Sequence, residues 1–380
     1  MKPGALTLAI LILLTPALWA EELNMLYMAQ AGYQPSDILE RASSFEEQSG
    51  ITVNLWFVEY EDQYNLIDPI PPHLVETVRQ GIIPEIYSAF SYDAHIWAVP
   101  FLANFQLFYT NMELLHQAGF LHPPSTLEEL VDMATRAKQM GLIEYPLFDS
   151  LREQEVLVCE FVWLVGAFGG DLVDETGRIN LDTEASRNAL EFLVGLLDKE
   201  LLNPYSLQSE EVFAAEVFIW GDCLFTTNWT FLTGLIKESD LPIRRSGKAS
   251  LIPAARGMAS RGGSSTISGF QGLSVTRNSA HKEKAWQFIR YLSSPEFQRM
   301  HLEEMSVWRQ VWTEENTVQE DPDIELKKQQ IVQVHNRPIH PQYREVSALL
   351  QYWIYEALQR KVEPGRALQN AQRDIDRLLK

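Results

Sequence analysis

The 380-residue sequence has only two cysteines, Cys159 and Cys223. Neither lies in a CxxC or comparable spacing, so the sequence offers neither a zinc-type ligand set nor a disulfide framework. An oxidising compartment would permit one bond between the two thiols. Two buried free thiols are the alternative that we favour, because free cysteine behaves as a small hydrophobic residue.

Motifs for catalysis and for bound cofactors are also missing. The eight histidines show no HExxH spacing, and no GxSxG nucleophile motif is present. The glycines within residues 256–263 are not followed by the Lys-Ser/Thr pair of a phosphate-binding loop. We therefore expect no metal and no cofactor, and residues 254–268, rich in Gly, Ser and Arg, are predicted to form a mobile loop.

Positive charge is scarce. The chain has 31 Lys and Arg against 51 Asp and Glu, a net charge of −20. This balance argues against nucleic acid and anionic membrane surfaces as partners. Two acidic groups, Glu59/Glu61/Asp62 and Glu216/Asp222, could supply the carboxylate pair of a glycoside hydrolase. Solvated surface charge is the interpretation that we favour for both groups.

Only one long apolar run exists, at residues 5–19, after the positive Lys2 and before the small residue Ala20. A transmembrane helix needs about 20 apolar residues, so this segment is predicted to be a secretory signal peptide over residues 1–20. No Cys follows it, which argues against a lipoprotein. We expect a periplasmic protein without membrane insertion after cleavage; an uncleaved anchor is the alternative.

Helix and strand signals alternate along the rest of the chain. The stretch FEEQSGITVN (residues 45–54) is typical of an amphipathic helix that ends at a left-handed Gly50 and leads into a β-branched strand. The apolar face of this helix is predicted at Ile38, Leu39, Ala42 and Phe45. Such alternation predicts an α/β fold.

Other elements follow from the same signals. Ser125 or Thr126, with Glu128 or Glu129, is predicted to cap a helix. Further predicted helices cover residues 157–168, 185–198, 281–292, 346–359 and 364–379, and predicted strands cover residues 24–27, 179–181, 222–228 and 269–275.

A series of phrases resembles those of a known family, in the family's order. They are FEEQSGITVN, YDAHIWAVPF, LFYTNMELLHQAGFLHPPSTLEELVDMA, GDCLFTTNWT, GFQGLSVTRNSAHKEKAWQFIRYLSSPEFQ and RPIHPQYREVS. They are similar to phrases of extracellular solute-binding protein family 1, the maltose/trehalose-binding-like sugar-binding subunits of ABC importers. Each phrase alone is weak, but their order after a signal peptide is specific.

The resemblance implies a type II-like two-lobe periplasmic-binding-protein fold with a ligand cleft between the lobes. The first lobe would comprise residues 21–103 and 269–313, and the second residues 104–268 and 314–380. The implied function is non-catalytic delivery of a carbohydrate or related polyol to the permease subunits of an ABC importer, by a monomer. A secreted glycan-active hydrolase and a decayed, non-binding copy are the alternatives.

One departure from the family follows Tyr64. Roughly forty residues, holding a helix, a strand and a cleft loop, are expected there, and the chain instead continues directly to Asn65. The first lobe is therefore predicted to be shortened. Loss of a strand would expose backbone groups and apolar faces of its neighbours.

The resemblance also implies ligand-binding residues. A sugar site pairs stacking aromatic rings with planar polar groups. Trp229, at the end of a predicted strand, corresponds to a stacking aromatic, with a core tryptophan as the alternative. Phe270 follows Gly269 where the family places an aromatic on the cleft. Arg337 could offer a bidentate fork to hydroxyls, or form an interdomain ion pair instead.

Four further candidates carry weaker signals. Tyr33 follows the first predicted strand, on the side that faces the crevice in open α/β sheets. Asn104 lies at the first crossing between lobes. Trp308 and Arg309 stand where the family has a small-Pro-x-Arg phrase, and an aromatic-rich helix face is the alternative for this pair.

Overall fold

A computed structural model describes residues 21–28, 33–58, 67–302 and 304–380. The predicted signal segment, the acidic group at residues 59–62 and the junction after Tyr64 lie outside the described residues. Across the part of the chain that is described, no helix is long and apolar enough to cross a membrane.

The elements alternate as the sequence predicts. The strands are β1 (Glu21–Met28), β2 (Ile51–Val58), β3 (Ser91–Tyr92), β4 (His95–Ile96), β5 (Val99–Leu102), β6 (Gln106–Asn111), β7 (Phe225–Trp229), β8 (Gly247–Ser250), β9 (Thr266–Ile267), β10 (Gln271–Leu273) and β11 (Val334–His335). The helices are α1 (Pro35–Ser49), α2 (Pro72–Gly81), α3 (Pro84–Ala89), α4 (Met112–Gln117), α5 (Leu127–Gln139), α6 (Glu155–Ala167), α7 (Glu184–Asp198), α8 (Glu211–Trp220), α9 (Phe231–Glu238), α10 (Ile243–Ser246), α11 (Arg256–Ala259), α12 (Lys282–Leu292), α13 (Pro295–Arg299), α14 (Glu315–Glu320), α15 (Ile324–Ile331), α16 (Tyr343–Leu358) and α17 (Pro364–Leu378).

The three-stranded sheet lies in the predicted second lobe and has β6 at its centre, antiparallel to β7 on one side and to β8 on the other. Helices α5, α6, α7, α16 and α17 contribute to the apolar core on one face of this sheet. Helix α6 is apolar around its whole circumference, and from Val156 to Ala167 every residue is buried. A helix of that composition is stable only inside a core, so α6 sits between the sheet and the other helices.

Among the described residues, the β1–β2 pair of the predicted first lobe is covered on one face only. Strands β1 and β2 pair in parallel, and α1 and α12 pack on the face that carries Leu23 and Val53. On the opposite face Leu26 and Trp56 are 45% and 49% exposed. Parallel sheets are normally covered on both faces. Among the described strands, none joins β1 to the antiparallel β5–β10 pair.

A separate apolar cluster joins the two predicted lobes. It contains Leu74 and Trp286 from the first predicted lobe, and Phe218 and Ile324 from the second. The lobe boundaries at residues 103, 268 and 313 therefore stay a prediction.

Several local predictions are confirmed. Gly50 ends α1 with φ of 71°, which is left-handed. Thr126 caps α5 by accepting from the backbone N–H of Glu129, whose side chain accepts from the backbone of Thr126 in return. Cys159 and Cys223 are buried free thiols.

Other local predictions are wrong. Leu39 is 48% exposed, so the buried face of α1 is narrower than predicted. Residues 179–181 form no strand, because Ile179 makes only a single bridge to Val173. The stretch 254–268 is not a loop throughout. It holds α11 and β9, and its serines at 264 and 265 are buried and hydrogen-bonded, to Ile252 O and Trp163 O.

We expect the β1–α1–β2 unit to be the least stable part of the protein. Its apolar cluster is small and one sheet face is open, so local opening costs less free energy than opening the core around α6. Native-state hydrogen exchange should show earlier exchange of amides in β1 and β2 than in β6 and β7. Equal protection in the two lobes would contradict this.

Candidate functional site

The candidate site lies at one edge of the second-lobe sheet. Leu147 bridges Phe225 in parallel, and Phe148 N donates to Phe225 O at 3.2 Å, so residues 147–149 run beside β7 in the same direction. Both segments end at this edge, at Asp149 and at Trp229. In open α/β sheets, ligands bind outside the carboxyl ends of the strands. We call this region the carboxyl edge.

Trp229 is the aromatic residue of the carboxyl edge. It is 8% exposed, and its Nε1 lies 3.4 Å from Glu211 Oε1. Gly269 lies against the ring, since a Cβ on Gly269 would come within 2.6 Å of it. The structure thus brings together two of the predicted residues, and only a glycine permits the contact.

Asn104 and Phe270 lie beside this pair. Gly269 N donates to Asn104 O at 2.8 Å, and Thr230 Oγ1 donates to Asn104 Oδ1 at 2.9 Å. Phe270 is half-buried against the apolar cluster that joins the lobes. Both residues therefore flank the predicted crossings between lobes.

Arg337 reaches the same region through an ion pair. Its Nη1 lies 2.8 Å from Glu155 Oε1, at the start of α6, and its Nη2 donates to Ser268 O at 3.4 Å. Glu155 also accepts from Tyr343 Oη at 2.6 Å and contacts Ser347 Oγ. Burial raises the pKa of Tyr343, so its hydroxyl stays protonated as a donor. Glu155 therefore occupies at least one of the guanidinium N–H groups of Arg337 that were predicted to bind ligand hydroxyls.

The structure does not bring Tyr33, Trp308 and Arg309 to the carboxyl edge. Tyr33 is fully buried, with its ring 4.9 Å from Phe101. Trp308 Nε1 donates to Ser293 O at 2.7 Å, and its ring fills the space beside a glycine at 81. Arg309 is exposed and donates to a backbone carbonyl of the first lobe. Tyr33 packs in the cluster under β1 and β2, and Trp308 packs in the cluster that joins the two predicted lobes. Both large rings are therefore buried in apolar cores.

Sequence reasoning missed the carboxyls of this edge. Glu160 is 1% exposed on α6, and it accepts from Gln106 Nε2 and from Trp163 Nε1, both at 2.6 Å. One signal could have found it, since a single carboxylate interrupts the apolar run VLVCEFVWLV. Asp149 had no such signal, because only the strand pairing places it beside Thr227.

Burial decides the protonation of these carboxyls. Burial, and then repulsion from Asp149, raises the pKa of Glu160 well above its ordinary value. Burial raises the pKa of Asp149 to about 8, although hydrogen bonds from Thr227 and Ser150 act in the opposite direction. Burial also raises the pKa of Glu211, although the hydrogen bond from Trp229 acts in the opposite direction. Asp149 therefore holds a proton at neutral pH, and burial favours the protonated form of Glu160 and Glu211.

Two other features do not join the site. A cavity of about 600 Å³ lies on the second lobe between Ser125, Lys248 and Arg256, and none of the predicted ligand-binding residues lines it. Glu216 and Asp222 are both exposed. Among the described residues, no three His, Cys, Asp or Glu side chains are placed to hold a metal ion.

Comparison with known proteins agrees with this architecture. A Deinococcus radiodurans protein named "Probable ABC transporter-binding protein" is 24% identical over 292 residues, which cover 74% of this chain and 68% of that protein. The maltose-bound MalE3 of T. maritima superposes with a TM-score of 0.84 at 21% identity, covering 94% of this chain and 100% of that one. A Thermotoga lettingae ABC transporter solute-binding protein bound with alpha-D-tagatose superposes with a TM-score of 0.83 at 19% identity, covering 95% and 100%.

The two superpositions establish the two-lobe α/β fold predicted from the sequence. The family model for bacterial extracellular solute-binding proteins matches residues 60–327, which is most of the chain. This protein therefore belongs to the bacterial extracellular solute-binding proteins.

Proposed function

We propose that this protein binds a carbohydrate or related polyol at the carboxyl edge and delivers it to an ABC importer. The observation that carries the proposal is Trp229 at the end of β7, with hydrogen-bonding groups of Asn104, Gln106 and Glu211 around it. An indole ring with carboxylate and amide partners suits the apolar faces and hydroxyls of a sugar. The maltose and tagatose of the two structural relatives are ligands of this class.

The chain crossings give a route for closing the cleft. Asn104 O and Gly269 N join two crossings by one hydrogen bond. Hinges usually lie in a few residues at the ends of elements. With the lobes at residues 21–103 and 269–313, and at 104–268 and 314–380, closure would bring the first lobe down onto Trp229.

The proposed role is binding without catalysis. Of the two acidic groups considered for a hydrolase, Glu216 and Asp222 are exposed on the outside of the lobe. A hydrolase needs two carboxyls on either side of a scissile bond. Incubation with model glycosides should give no turnover, and measurable turnover would replace the binding role with an enzymatic one.

The route of the protein in the cell is part of the proposal. Residues 1–20 would direct export and be removed, leaving a periplasmic monomer that is not lipid-anchored. Mass spectrometry of the protein recovered from the periplasm should give the mass of a chain whose first residue is Glu21.

Thermal denaturation tests the binding role directly. A ligand that binds only the folded state raises the melting temperature by mass action. A panel of mono- and oligosaccharides and polyols, each at millimolar concentration, should contain at least one compound that raises it. A panel without any shift on well-folded protein would contradict the proposal.

We propose that the permease meets the protein at the outer face of α8. Val212 and Trp220, one stripe of this helix, are 53% and 68% exposed. Apart from Glu211 and Glu216, every side chain of α8 is apolar, and among the described residues this stripe stays largely uncovered. Glu216 lies between Val212 and Trp220 on the same stripe and Asp222 follows the helix, so the surface favours a partner that presents both apolar and basic side chains. The stripe lies next to the carboxyl edge, because Glu211 of that edge is in the first turn of α8.

The replacement Trp220→Ser should lower uptake of the ligand by about tenfold or more, as for an aromatic interface anchor. Ligand affinity and melting temperature should stay close to wild type, because the side chain is mostly exposed. Uptake by cells that carry only the variant measures the effect. Leu121→Ser, at a residue 73% exposed elsewhere on the lobe, is the matched control. Equal uptake by the two variants would place the permease on another surface.

A further inference from the structure

The carboxyl edge has more carboxyl groups than basic groups. Its carboxyls are Asp149, Glu155, Glu160 and Glu211, and its cation is Arg337, which pairs with Glu155. Among the described residues, Asp149, Glu160 and Glu211 therefore have no ion-pair partner of their own. Neutral sugars are bound by carboxylates too, so the excess alone does not identify a ligand.

A second observation concerns hydrogen-bond acceptors that lack donors. Gln106 is fully buried, and its Nε2 donates to Glu160, which directs the amide group into the carboxyl cluster. Its Oε1 has no hydrogen-bond partner among the described residues. Asp149 Oδ1 likewise has no hydrogen-bond partner among the described residues. Buried acceptors are almost always satisfied in native proteins, so these two oxygens require a donor.

Such a donor must have several N–H or O–H groups and must fit beside an aromatic ring. A protonated amine offers three donors and no acceptor. Carboxylates and a nearby indole face both favour a cation. A metal ion fits less well, because no described set of three ligating side chains converges on one point. An organic ammonium group requires no such convergence.

We propose that the ligand of this protein is a carbohydrate or polyol that carries a protonated amine, seated between Asp149 and the Gln106–Glu160 pair beside Trp229. This inference rests on the proposed function and narrows its ligand class. The sugar ring or polyol chain would contact Trp229, and the ammonium would supply the donors for Gln106 Oε1 and Asp149 Oδ1.

The proposal has a defined pH dependence. Because burial raises the pKa of Asp149 to about 8, the unliganded protein holds a proton there at neutral pH, and an ammonium must displace it. Affinity for an amine should rise from pH 6 to pH 8 as this proton is lost, whereas affinity for a neutral counterpart should not. The titratable groups that face Asp149 or its partners are Glu160 and Cys159 on α6, Glu211 on α8, Cys223 before β7, and the Arg337–Glu155–Tyr343 group.

Matched probe pairs test the inference. We would measure affinity by calorimetry for glucose and 6-amino-6-deoxyglucose, for sorbitol and 1-amino-1-deoxysorbitol, and for maltose and 6′-amino-6′-deoxymaltose, at pH 6, 7 and 8. In at least one pair, the amine should bind at pH 8 with an affinity about tenfold or more above that of its neutral counterpart. This is the size of effect expected for one charge-assisted contact. Repeating the pH 7 titration in buffers of different ionisation enthalpy should show proton release.

The variant Asp149→Asn keeps the shape of the side chain and removes its charge. It should reduce the preference for the amine to within about threefold and abolish the proton release. Glu191→Gln, at an exposed residue on α7, is the matched control and should keep both. Melting curves of both variants would verify that each is folded.

The outcomes separate the inference from the proposed function. If the neutral member of every pair that binds has equal or higher affinity, the inference that the ligand carries an amine is wrong. The proposed binding role would stay intact, and the protonated carboxyls would then have only a structural role. An amine preference that survives in Asp149→Asn would overturn the assigned site. If neither these pairs nor the broader sugar panel binds, the proposed function falls, and the inference falls with it.

Discussion

Replacing Lys327 by Met should lower the free energy of unfolding by about 3–5 kcal/mol, the cost of leaving one partner of a buried ion pair unpaired. Lys327 Nζ lies 2.9 Å from Asp321 Oδ2, and the two side chains are 1% and 2% exposed. Burial, then repulsion from Asp321, raises the pKa of the neighbouring Asp323, so a second carboxyl already lies close by. Without the ammonium, the Asp321 carboxylate would be desolvated and uncompensated.

Urea denaturation at pH 7 measures this effect. Lys328→Met is the matched control, because the next residue makes only an exposed pair with Glu325 and should cost less than about 1 kcal/mol. Adding Asp321→Leu to Lys327→Met should recover much of the loss, since both charges are then absent. Similar losses for the Lys327 and Lys328 variants would show that the buried pair is not what stabilises this region.

Replacing Trp229 by Ala should weaken ligand binding by about 1–3 kcal/mol, as expected for an aromatic anchor. The same change should also lower stability, because the ring is 8% exposed and packs on Gly269. Affinity must therefore be measured well below the melting temperature of the variant. Trp229→Phe keeps an aromatic face and loses the contact from Nε1 to Glu211, so its loss of affinity should be smaller.

Trp220→Ala is the control for this measurement, because Trp220 is exposed and lies on the outer face of α8. It should leave ligand affinity unchanged. Loss of stability in Trp229→Ala with unchanged affinity would assign this tryptophan to the core and move the ligand away from the end of β7.

Local structure was largely predictable from the sequence. The left-handed Gly50 and the reciprocal cap of Thr126 with Glu129 depend on residues within one turn of each other, so the chain specifies them locally. A helix was also predicted at residues 157–168, and the structure has α6 at Glu155–Ala167. The stretch 254–268 was misjudged because its Gly and Ser content signals a loop, whereas its buried serines are held by hydrogen bonds to distant backbone.

The family resemblance implied that Trp229, Gly269 and Asn104 all belong to the ligand-binding site, and the structure brings these three residues together. It also implied ligand contacts for Tyr33 and Trp308, whose rings the structure buries in two different apolar clusters. A phrase in the sequence identifies a position along the chain but not the direction of a side chain. Burial of a large ring depends on the partners that surround it, and those come from remote segments.

By itself, the sequence determined the alternating α/β elements, their caps and the position of Trp229 at the end of a strand, because each depends on neighbours within a few residues. Only the tertiary structure placed Asp149 beside β7 and directed Gln106 toward Glu160. Those contacts join residues 54 or more positions apart, and burial between layers, which no single segment encodes, raises the pKa values of the carboxyls.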